Sequence, residues 1–142
     1  MKMRYVKLDG RAKTPTYGST DAAGADLYAL ESEVIFSGET KLIHTGIAVE
    51  IPRGYVGLIY ARSGLAAKRG LAPANKVGVI DSDYRGEIMV SIYNQSEKSQ
   101  SINSGERIAQ LVITPYLQVE YELSEDLSTT ERGSGGFGST GK

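Results

Sequence analysis

The chain has 142 residues, and 40% of them are hydrophobic, which is typical of one globular domain with a single buried core. Its formal net charge of -1 gives no electrostatic basis for a nucleic-acid or membrane partner. The absence of cysteine excludes disulfides and thiolate chemistry, and the single histidine, His44, excludes a zinc site of the Cys/His type.

The hydropathy of the sequence gives no sign of a membrane protein. No apolar run approaches the roughly 18–20 residues that a membrane-spanning helix needs. The first residues contain no apolar stretch of the length found in signal peptides. We therefore expect a cytoplasmic protein, with the nucleus as a second location if the source is eukaryotic.

Short segments with the alternating pattern of half-buried strands recur along the chain between turn signals. The predicted strands cover residues 34–36, 42–51, 55–61, 77–80, 87–93 and 107–114. Each of the predicted turns, at 52–54, 84–86 and 103–105, ends in glycine. Many short strands joined by such turns indicate an all-β sandwich or barrel.

One segment, residues 65–69, consists of good helix formers. Ser63 is predicted to cap its N-terminus and Gly70 to end it, so the helix would be about two turns long. A helix N-terminus favours phosphate, and Arg62 and Ser63 add hydrogen-bond donors at this point. A surface arginine beside an ordinary helix cap explains these two residues equally well.

Asp81 follows the predicted strand 77–80 and begins a turn that also contains Asp83 and Tyr84. A carboxylate at the end of a strand is well placed to act as a base. Aspartate is also common in turns, where it bonds to the backbone, and for Asp81 taken alone this structural role is the favoured interpretation. Tyr84 is equally consistent with an ordinary aromatic residue of a hairpin.

Residues 129–142 are rich in glycine, serine and threonine and contain almost nothing to bury. The segment contains G-x-G-x-x-G and approaches a Walker loop, but no helix can follow it, and Ser139 replaces the Walker lysine, so both interpretations are rejected. Two others stay open. The tail is disordered, as its composition favours, or it orders on a ligand, with Arg132 on phosphate and Phe137 stacked on a base.

Five segments resemble, in order, the five motifs of the homotrimeric dUTPase family. They read DAAGADLYA at 21–29, ARSGLAAKRG at 61–70, GVIDSDYRG at 78–86, GERIAQLV at 105–112 and RGSGGFGSTG at 132–141. The resemblance implies a distorted all-β, jelly-roll-like barrel with one short helix, assembled as a homotrimer with sites shared between subunits. It places the barrel in residues 1–128 and a flexible arm that closes over the active site in residues 129–142.

The resemblance also implies an activity, which is hydrolysis of dUTP to dUMP and pyrophosphate with Mg²⁺. This reaction limits uracil incorporation into DNA and supplies dUMP for dTMP synthesis. Asp81 matches the carboxylate that deprotonates the water attacking the α-phosphorus. Asp26 matches a position that contacts the metal through water. The positions that match phosphate-binding residues are Arg62, Ser63, Gly64 and Gln110.

Specificity is implied by the same resemblance. Tyr84 matches a ring that packs on the deoxyribose and leaves no space for a 2′-hydroxyl. Asn75 matches a uracil contact, and a hairpin around residues 77–80 would read the base through its backbone, at Gly78, Val79 and Ile80. In the arm, Phe137 would stack on uracil and Arg132 would reach the γ-phosphate. The further phosphate donors implied are Ser134, Gly135, Gly138 and Ser139.

Two other functions stay open. A dCTP deaminase shares the fold of this family, but such relatives carry a glutamate where this chain has Ser91. A binding module that senses nucleotides without cleaving them would need no base such as Asp81. The chain departs from the family pattern at Arg69, where relatives often have histidine, and at residues 71–74.

Overall fold

The computed structural model describes residues 1–138, which form twelve short strands and one helix. The first six strands are β1 (Arg4–Lys7), β2 (Thr16–Tyr17), β3 (Ala25–Tyr28), β4 (Glu33–Ile35), β5 (Thr40–His44) and β6 (Ile47–Glu50). They are followed by β7 (Tyr55–Tyr60), α1 (Ser63–Arg69), β8 (Leu71–Pro73), β9 (Gly78–Ile80), β10 (Met89–Asn94), β11 (Gln100–Ile102) and β12 (Arg107–Pro115). In this part of the chain, no helix is long and apolar enough to cross a membrane.

The strands form antiparallel sheets, and the largest of them has the order β2-β3-β12-β7-β9. A second sheet has the order β5-β10-β8, and two pairs, β1-β6 and β4-β11, complete the arrangement. The predicted all-β class with one short helix is confirmed. Within residues 1–138 the hydrogen bonds do not join these sheets into one closed barrel.

Alternation along the strands builds the core between the sheets. In β10, Val90, Ile92 and Asn94 are buried, Met89 is exposed, and Ser91 is half-buried. The core is mostly aliphatic, and its largest fully buried apolar side chains are Leu27, Ile35, Ile43, Ile47, Leu71, Ile88, Ile92, Ile102 and Ile108. Burying each such side chain contributes about 1.5–3 kcal/mol, and this core supports the surface loops that carry the site.

Five of the six predicted strands are present with shifted ends. The long prediction at 42–51 is wrong as one strand, because Gly46, with φ 68°, separates β5 from β6. Five strands were not predicted from the sequence, namely β1, β2, β3, β8 and β11. In β3, three consecutive residues, Ala25, Asp26 and Leu27, are buried, so the alternation that marks a half-buried strand is lacking.

Helix α1 has seven residues, and Gly70 ends it as predicted, with φ 66° and its N–H donating to the Ala66 carbonyl. The predicted N-cap is wrong. Arg62 occupies that position in extended conformation and no side chain caps the helix, so Ser63 is already the first helical residue. The Ser63 hydroxyl is therefore free of a capping role. Arg69 donates to Gln100 Oε1 at 3.3 Å and fastens the end of the helix to β11.

The predicted hairpin around residues 77–80 is also wrong. Strand β9 pairs with β7, whereas β8 pairs with β10, so neither of the neighbours of β9 in sequence is its partner. The connection 74–77 instead carries the chain from one sheet to another. As a result β9 is an edge strand, and one row of its backbone N–H and C=O groups has no strand partner.

Candidate active site

The structure divides the predicted site residues between two pockets of one chain. The first, here called the β9 pocket, has a volume of about 270 Å³ and contains Asn75, Gly78, Val79, Ile80, Asp81 and Tyr84. The second, here called the Asp26 pocket, has a volume of about 220 Å³ and contains Asp26, Arg62, Ser63 and Gln110. Gly64 and the described arm residues line neither pocket, and Ser139 lies outside the described residues.

Asp81 is placed at the mouth of the β9 pocket because the chain leaves β9 and turns there. The Tyr84 N–H donates to the Asp81 carbonyl at 3.2 Å and closes this turn. The Arg85 guanidinium donates to the carbonyls of Ser82 at 2.7 Å and Tyr84 at 2.9 Å, which stiffens the loop. The Asp81 side chain is exposed, and it also lines a larger opening of about 880 Å³ that contains Lys2, Arg4, Arg53 and Arg85.

The ring of Tyr84 is held in place by two local features. Its hydroxyl donates to the Glu87 carbonyl at 2.9 Å. Its ring folds over Gly86, where a Cβ atom would lie only 2.3 Å from the Tyr84 hydroxyl oxygen. Glycine at position 86 is therefore a steric requirement of this ring position, and Tyr84, 42% exposed, lines the pocket.

Strand β9 itself and Asn75 also line the β9 pocket. A Cβ on Gly78 would lie 3.1 Å from Ile59 Cβ, so glycine at this position lets β9 pack closely on β7. Val79 is 64% exposed. Because β9 is an edge strand, its free backbone groups can act as donors and acceptors for a flat polar ligand.

Asp26 is buried and charged, and two arginines compensate its charge. Arg62 Nε lies 2.8 Å from Asp26 Oδ1, and Arg107 Nη1 lies 3.3 Å from Oδ2. A buried carboxylate is tolerated when it is paired in this way. Gln110 donates to the Ala61 carbonyl at 2.9 Å and packs over Gly24, where a Cβ would lie 2.5 Å from Gln110 Oε1.

Arg107 was not predicted as a site residue, yet it lines the Asp26 pocket together with Gln110. In a regular strand, residues three apart point to opposite faces of the sheet. The pairing of β12 with β3 shifts register between Arg107 and Ala109, and this irregularity brings both side chains to the same pocket. The basic residue in GERIAQLV was visible in the sequence, but the shift in register was not.

The donor set of the Asp26 pocket fits a magnesium ion that is held mainly by water and by an anionic ligand. Among residues 1–138, no cluster of three or more His, Cys, Asp or Glu side chains could form a complete metal cage. Asp26 is the only carboxylate lining this pocket, beside Arg62, Ser63 and Arg107. One carboxylate with several anion-binding donors suits Mg²⁺, which keeps most of its waters and is often shared with phosphates.

The described part of the arm, residues 129–138, makes local contacts. Arg132 Nε donates to the Gly135 carbonyl at 2.8 Å, and Gly133 N–H donates to Thr130 Oγ1 at 3.1 Å. Phe137 is fully exposed, with φ 51°. Neither pocket is lined by the described arm residues of the prediction, which are Arg132, Ser134, Gly135, Phe137 and Gly138.

Comparison with known proteins agrees with this arrangement. A family model described as dUTPase matches residues 10–141. The chain belongs to the dUTPase family. It is 52% identical over 142 residues to the deoxyuridine 5'-triphosphate nucleotidohydrolase of Nautilia profundicola, with all of both chains covered.

Solved structures of dUTPases are also similar. A mutant dUTPase of Staphylococcus bacteriophage 80alpha, solved with dUpNHpp, has a TM-score of 0.94 and 32% identity, with 99% of each chain covered. A mutant dUTPase from phage phi11 of S. aureus, described with a structural Mg(II) ion, has a TM-score of 0.81 and 28% identity, covering 89% of this chain and 98% of that one. The jelly-roll-like fold class implied by the motifs is therefore confirmed.

Proposed function

We propose that this chain hydrolyses dUTP to dUMP and pyrophosphate. The observation that carries the proposal is the position of Asp81 at the mouth of the β9 pocket, beside Tyr84 and the edge strand β9. An exposed carboxylate there can take a proton from a water molecule at the boundary between a bound nucleoside and its phosphates. The deoxyuridine nucleotides named for its relatives are the ligands we assign to this pocket.

The reaction needs no covalent enzyme intermediate. Asp81 accepts a proton from water while the water oxygen attacks the α-phosphorus in line. The bond between this phosphorus and the bridging oxygen breaks, and pyrophosphate leaves. Because little covalent chemistry is required of the protein, most of the rate enhancement comes from positioning and from stabilising the charge on the phosphate oxygens.

The Asp26 pocket supplies the donors for those oxygens. We assign Arg62, Ser63, Gly64 and Gln110 to the phosphates and add Arg107, whose guanidinium lies at the same carboxylate as that of Arg62. Arginine forks match phosphate geometry. Ser63, which is free of a helix-capping role, would donate toward the oxygen of the leaving pyrophosphate.

The proposed reaction also uses Mg²⁺, which would bind with the substrate and keep most of its waters. When bound, it neutralises part of the triphosphate charge. Asp26 would orient one of its waters. In the described structure both Asp26 oxygens are engaged by arginines, so Asp26 would act on the ion indirectly.

Selection of the substrate would come from the β9 pocket. The free backbone groups of Gly78, Val79 and Ile80 and the amide of Asn75 suit the polar edge of uracil. A site that hydrogen-bonds one base leaves its own buried groups unpaired when another base is offered, which lowers affinity. Tyr84 would pack against the deoxyribose and exclude a 2′-hydroxyl.

We propose a homotrimer because one chain leaves an apolar segment uncovered. Leu117, Val119, Tyr121 and Leu123 alternate with polar residues and are each more than half exposed. This alternation is typical of a strand with one face to bury. Exposed apolar surface of this extent favours burial against other subunits. A shared site would also bring together pockets that are separate within one chain.

The arm, residues 129–142, would then close over a site of the assembly, while residues 1–128 form the barrel domain. Phe137 would stack on uracil and Arg132 would bind the γ-phosphate. Further donors would come from Ser134, Gly135, Gly138 and Ser139. Closure would exclude water and fix the triphosphate for attack. In the cell the reaction would limit uracil in DNA and supply dUMP, and a cytoplasmic location stays a prediction.

The decisive experiment measures pyrophosphate release from dUTP, UTP, dCTP and dTTP side by side, with Mg²⁺ at neutral pH. We expect rapid release from dUTP and little from the other three. Conversion of dCTP to a uracil nucleotide would instead identify a deaminase, although the pocket contains Ser91 at the position where dCTP deaminases carry a glutamate. Tight binding of dUTP without release of pyrophosphate would identify a sensor, and either result would overturn the proposal.

A further inference from the structure

Glu87 is a half-buried carboxylate in the wall of the β9 pocket, and both of its oxygens bond to a different part of the fold. Its Oε1 accepts a hydrogen bond from the Gly46 N–H at 2.7 Å. Its Oε2 accepts one from His44 Nδ1 at 2.9 Å. The side chain therefore connects the loop that follows Tyr84 to the turn between β5 and β6.

The residue after Glu87 is fastened to the same turn. Ile88 N–H donates to the Ile47 carbonyl at 2.8 Å, and Thr45 Oγ1 donates to the Ile88 carbonyl at 2.6 Å. Both Thr45 and Ile88 are buried. Segment 87–88 is thus bonded to turn 44–47 by four hydrogen bonds. Two involve the backbone N–H and C=O of Ile88, and two involve the carboxylate of Glu87.

The turn itself is closely packed, so it offers a support for the Glu87 carboxylate. Gly46 adopts φ 68°, and a Cβ at this position would lie 2.8 Å from Ala12 Cβ, so the turn packs closely on the segment before β2. An L-residue at this position would be strained as well as crowded. What the Glu87 carboxylate bonds to is therefore a closely packed turn of the fold.

The other end of this chain of contacts is Tyr84. Its hydroxyl donates to the main-chain carbonyl of Glu87, the residue whose side chain is held by His44 and Gly46. Both Tyr84 and Glu87 line the β9 pocket. The position of the Tyr84 ring therefore depends on where the Glu87 carboxylate fixes the backbone at position 87.

We propose that Glu87, supported by His44, is a positioning residue that sets the discrimination between deoxyribose and ribose. The inference rests on the proposed hydrolysis of dUTP and deepens it. A ring excludes a 2′-hydroxyl only if it cannot retreat by the width of one oxygen atom. The carboxylate bonds, together with those of Ile88, limit that retreat, because they hold the segment that carries the carbonyl to which the Tyr84 hydroxyl is bonded.

The test measures the ratio of kcat/KM for dUTP to kcat/KM for UTP in three variants and one control variant. Glu87→Ala removes both carboxylate bonds, and we expect the ratio to fall about tenfold, which corresponds to the loss of a net hydrogen bond or two. The fall should come mainly from a lower KM for UTP. Glu87→Gln keeps an acceptor for Gly46 and a polar contact to His44, and it should restore most of the ratio. His44→Ala, at an exposed side chain, should lower the ratio by a smaller factor.

The matched control is Glu33→Ala. Glu33 is also a partly buried glutamate in an ion pair, with Lys41 Nζ at 2.7 Å, but it does not line the β9 pocket. This variant should keep the ratio of the unmodified protein. A Glu87→Ala protein that loses stability but keeps the ratio would assign a purely structural role to Glu87 and overturn the inference.

The outcomes separate this inference from the proposed function. If the unmodified protein does not cleave dUTP, both fail. If it cleaves dUTP and rejects UTP, but Glu87→Ala and His44→Ala keep the full ratio, only the role of Glu87 is overturned. If Glu87→Ala does not fold, His44→Ala decides alone, since its exposed ring can be removed with little effect on the core.

Discussion

Arg62 Nε lies 2.8 Å from Asp26 Oδ1, and this ion pair holds the Arg62 guanidinium at the Asp26 pocket. Asp26 therefore has two roles in the proposal, since it orients Arg62 and acts on the magnesium ion through water. A substitution at Asp26 can separate the two roles when metal dependence and stability are measured together.

We expect Asp26→Asn to raise the Mg²⁺ concentration for half-maximal hydrolysis of dUTP several-fold. It should also lower the free energy of unfolding by about 1–3 kcal/mol, because two arginines lose their counter-charge at a buried position. The measurements are a magnesium titration of the rate and urea denaturation. Asp9→Asn, which removes a carboxylate from another arginine pair, is the control for metal dependence. An unchanged magnesium requirement in Asp26→Asn would leave that residue with a structural role alone.

Asp81→Asn should lower kcat for dUTP by about 10²–10⁴-fold while binding of the substrate is kept, because the amide has the shape of the carboxylate but cannot take the proton. Single-turnover kinetics and a binding titration with dUpNHpp distinguish the two effects. The control is Asp83→Asn, a neighbouring exposed carboxylate that does not line the β9 pocket. Near-full turnover by Asp81→Asn would remove this residue from the role of base.

Gly86→Ala should displace the Tyr84 ring, because the new Cβ would lie 2.3 Å from the ring hydroxyl. We expect weaker discrimination between dUTP and UTP and a loss of about 1–3 kcal/mol of stability from overpacking. Gly10→Ala is the matched control, since a Cβ there meets no atom within 4 Å. A Gly86→Ala protein with unchanged stability and unchanged selection would show that the ring is free to adopt another position.

Removal of residues 129–142 should leave the thermal unfolding temperature unchanged, because the hydrogen bonds of the described arm are local. It should nearly abolish turnover, because the arm is proposed to close over the site. Phe137→Ala should lower kcat/KM for dUTP by about 5–150-fold, the range that corresponds to one stacked base. Phe36→Ala removes another exposed ring and should have no such effect. An unfolded truncated chain would contradict the assignment of these residues as an arm.

Stability should depend on acid through Asp9. The hydrogen bonds from the Arg11 side chain and backbone lower the pKa of Asp9 to about 2. Since the pKa is lower in the folded state, the stabilisation is complete above the unfolded value of about 3.9 and is lost as the pH falls towards 2. Denaturation curves between pH 2 and 5 should therefore converge for the unmodified protein and Asp9→Asn at the acid end. Curves with the same separation at every pH would contradict this pKa.

Local patterns were enough to predict strands whose side chains alternate between core and solvent, such as β10, and the C-terminal end of α1 at Gly70. They failed at β3, because Ala25 to Leu27 are buried in succession when the strand lies inside a sheet. They also failed at Ser63, because the actual cap position is occupied by Arg62, which is drawn to Asp26 by an ion pair.

The contacts that organise the candidate site could not be predicted from the sequence, because they join segments that are far apart along the chain. Asp26 and Arg107 are 81 residues apart, and His44 and Glu87 are 43 residues apart. The motifs identified Asp81, Tyr84 and Gln110 as residues of interest. Their division between two pockets follows from the pairing of β9 with β7, and no periodicity in the sequence encodes that pairing.

The irregular register between Arg107 and Ala109 limits how this chain can change in length. Beyond that point β12 pairs with β7 along residues 110–115, and Leu111 lies in the core. Deletion of one residue here would turn every later side chain of the strand to the opposite face. Leu111 would become exposed to water, and Gln110 would lose its hydrogen bond to the Ala61 carbonyl. Insertions and deletions in surface loops change the free energy of folding little, whereas the number of residues between Gly105 and Pro115 cannot change by even one.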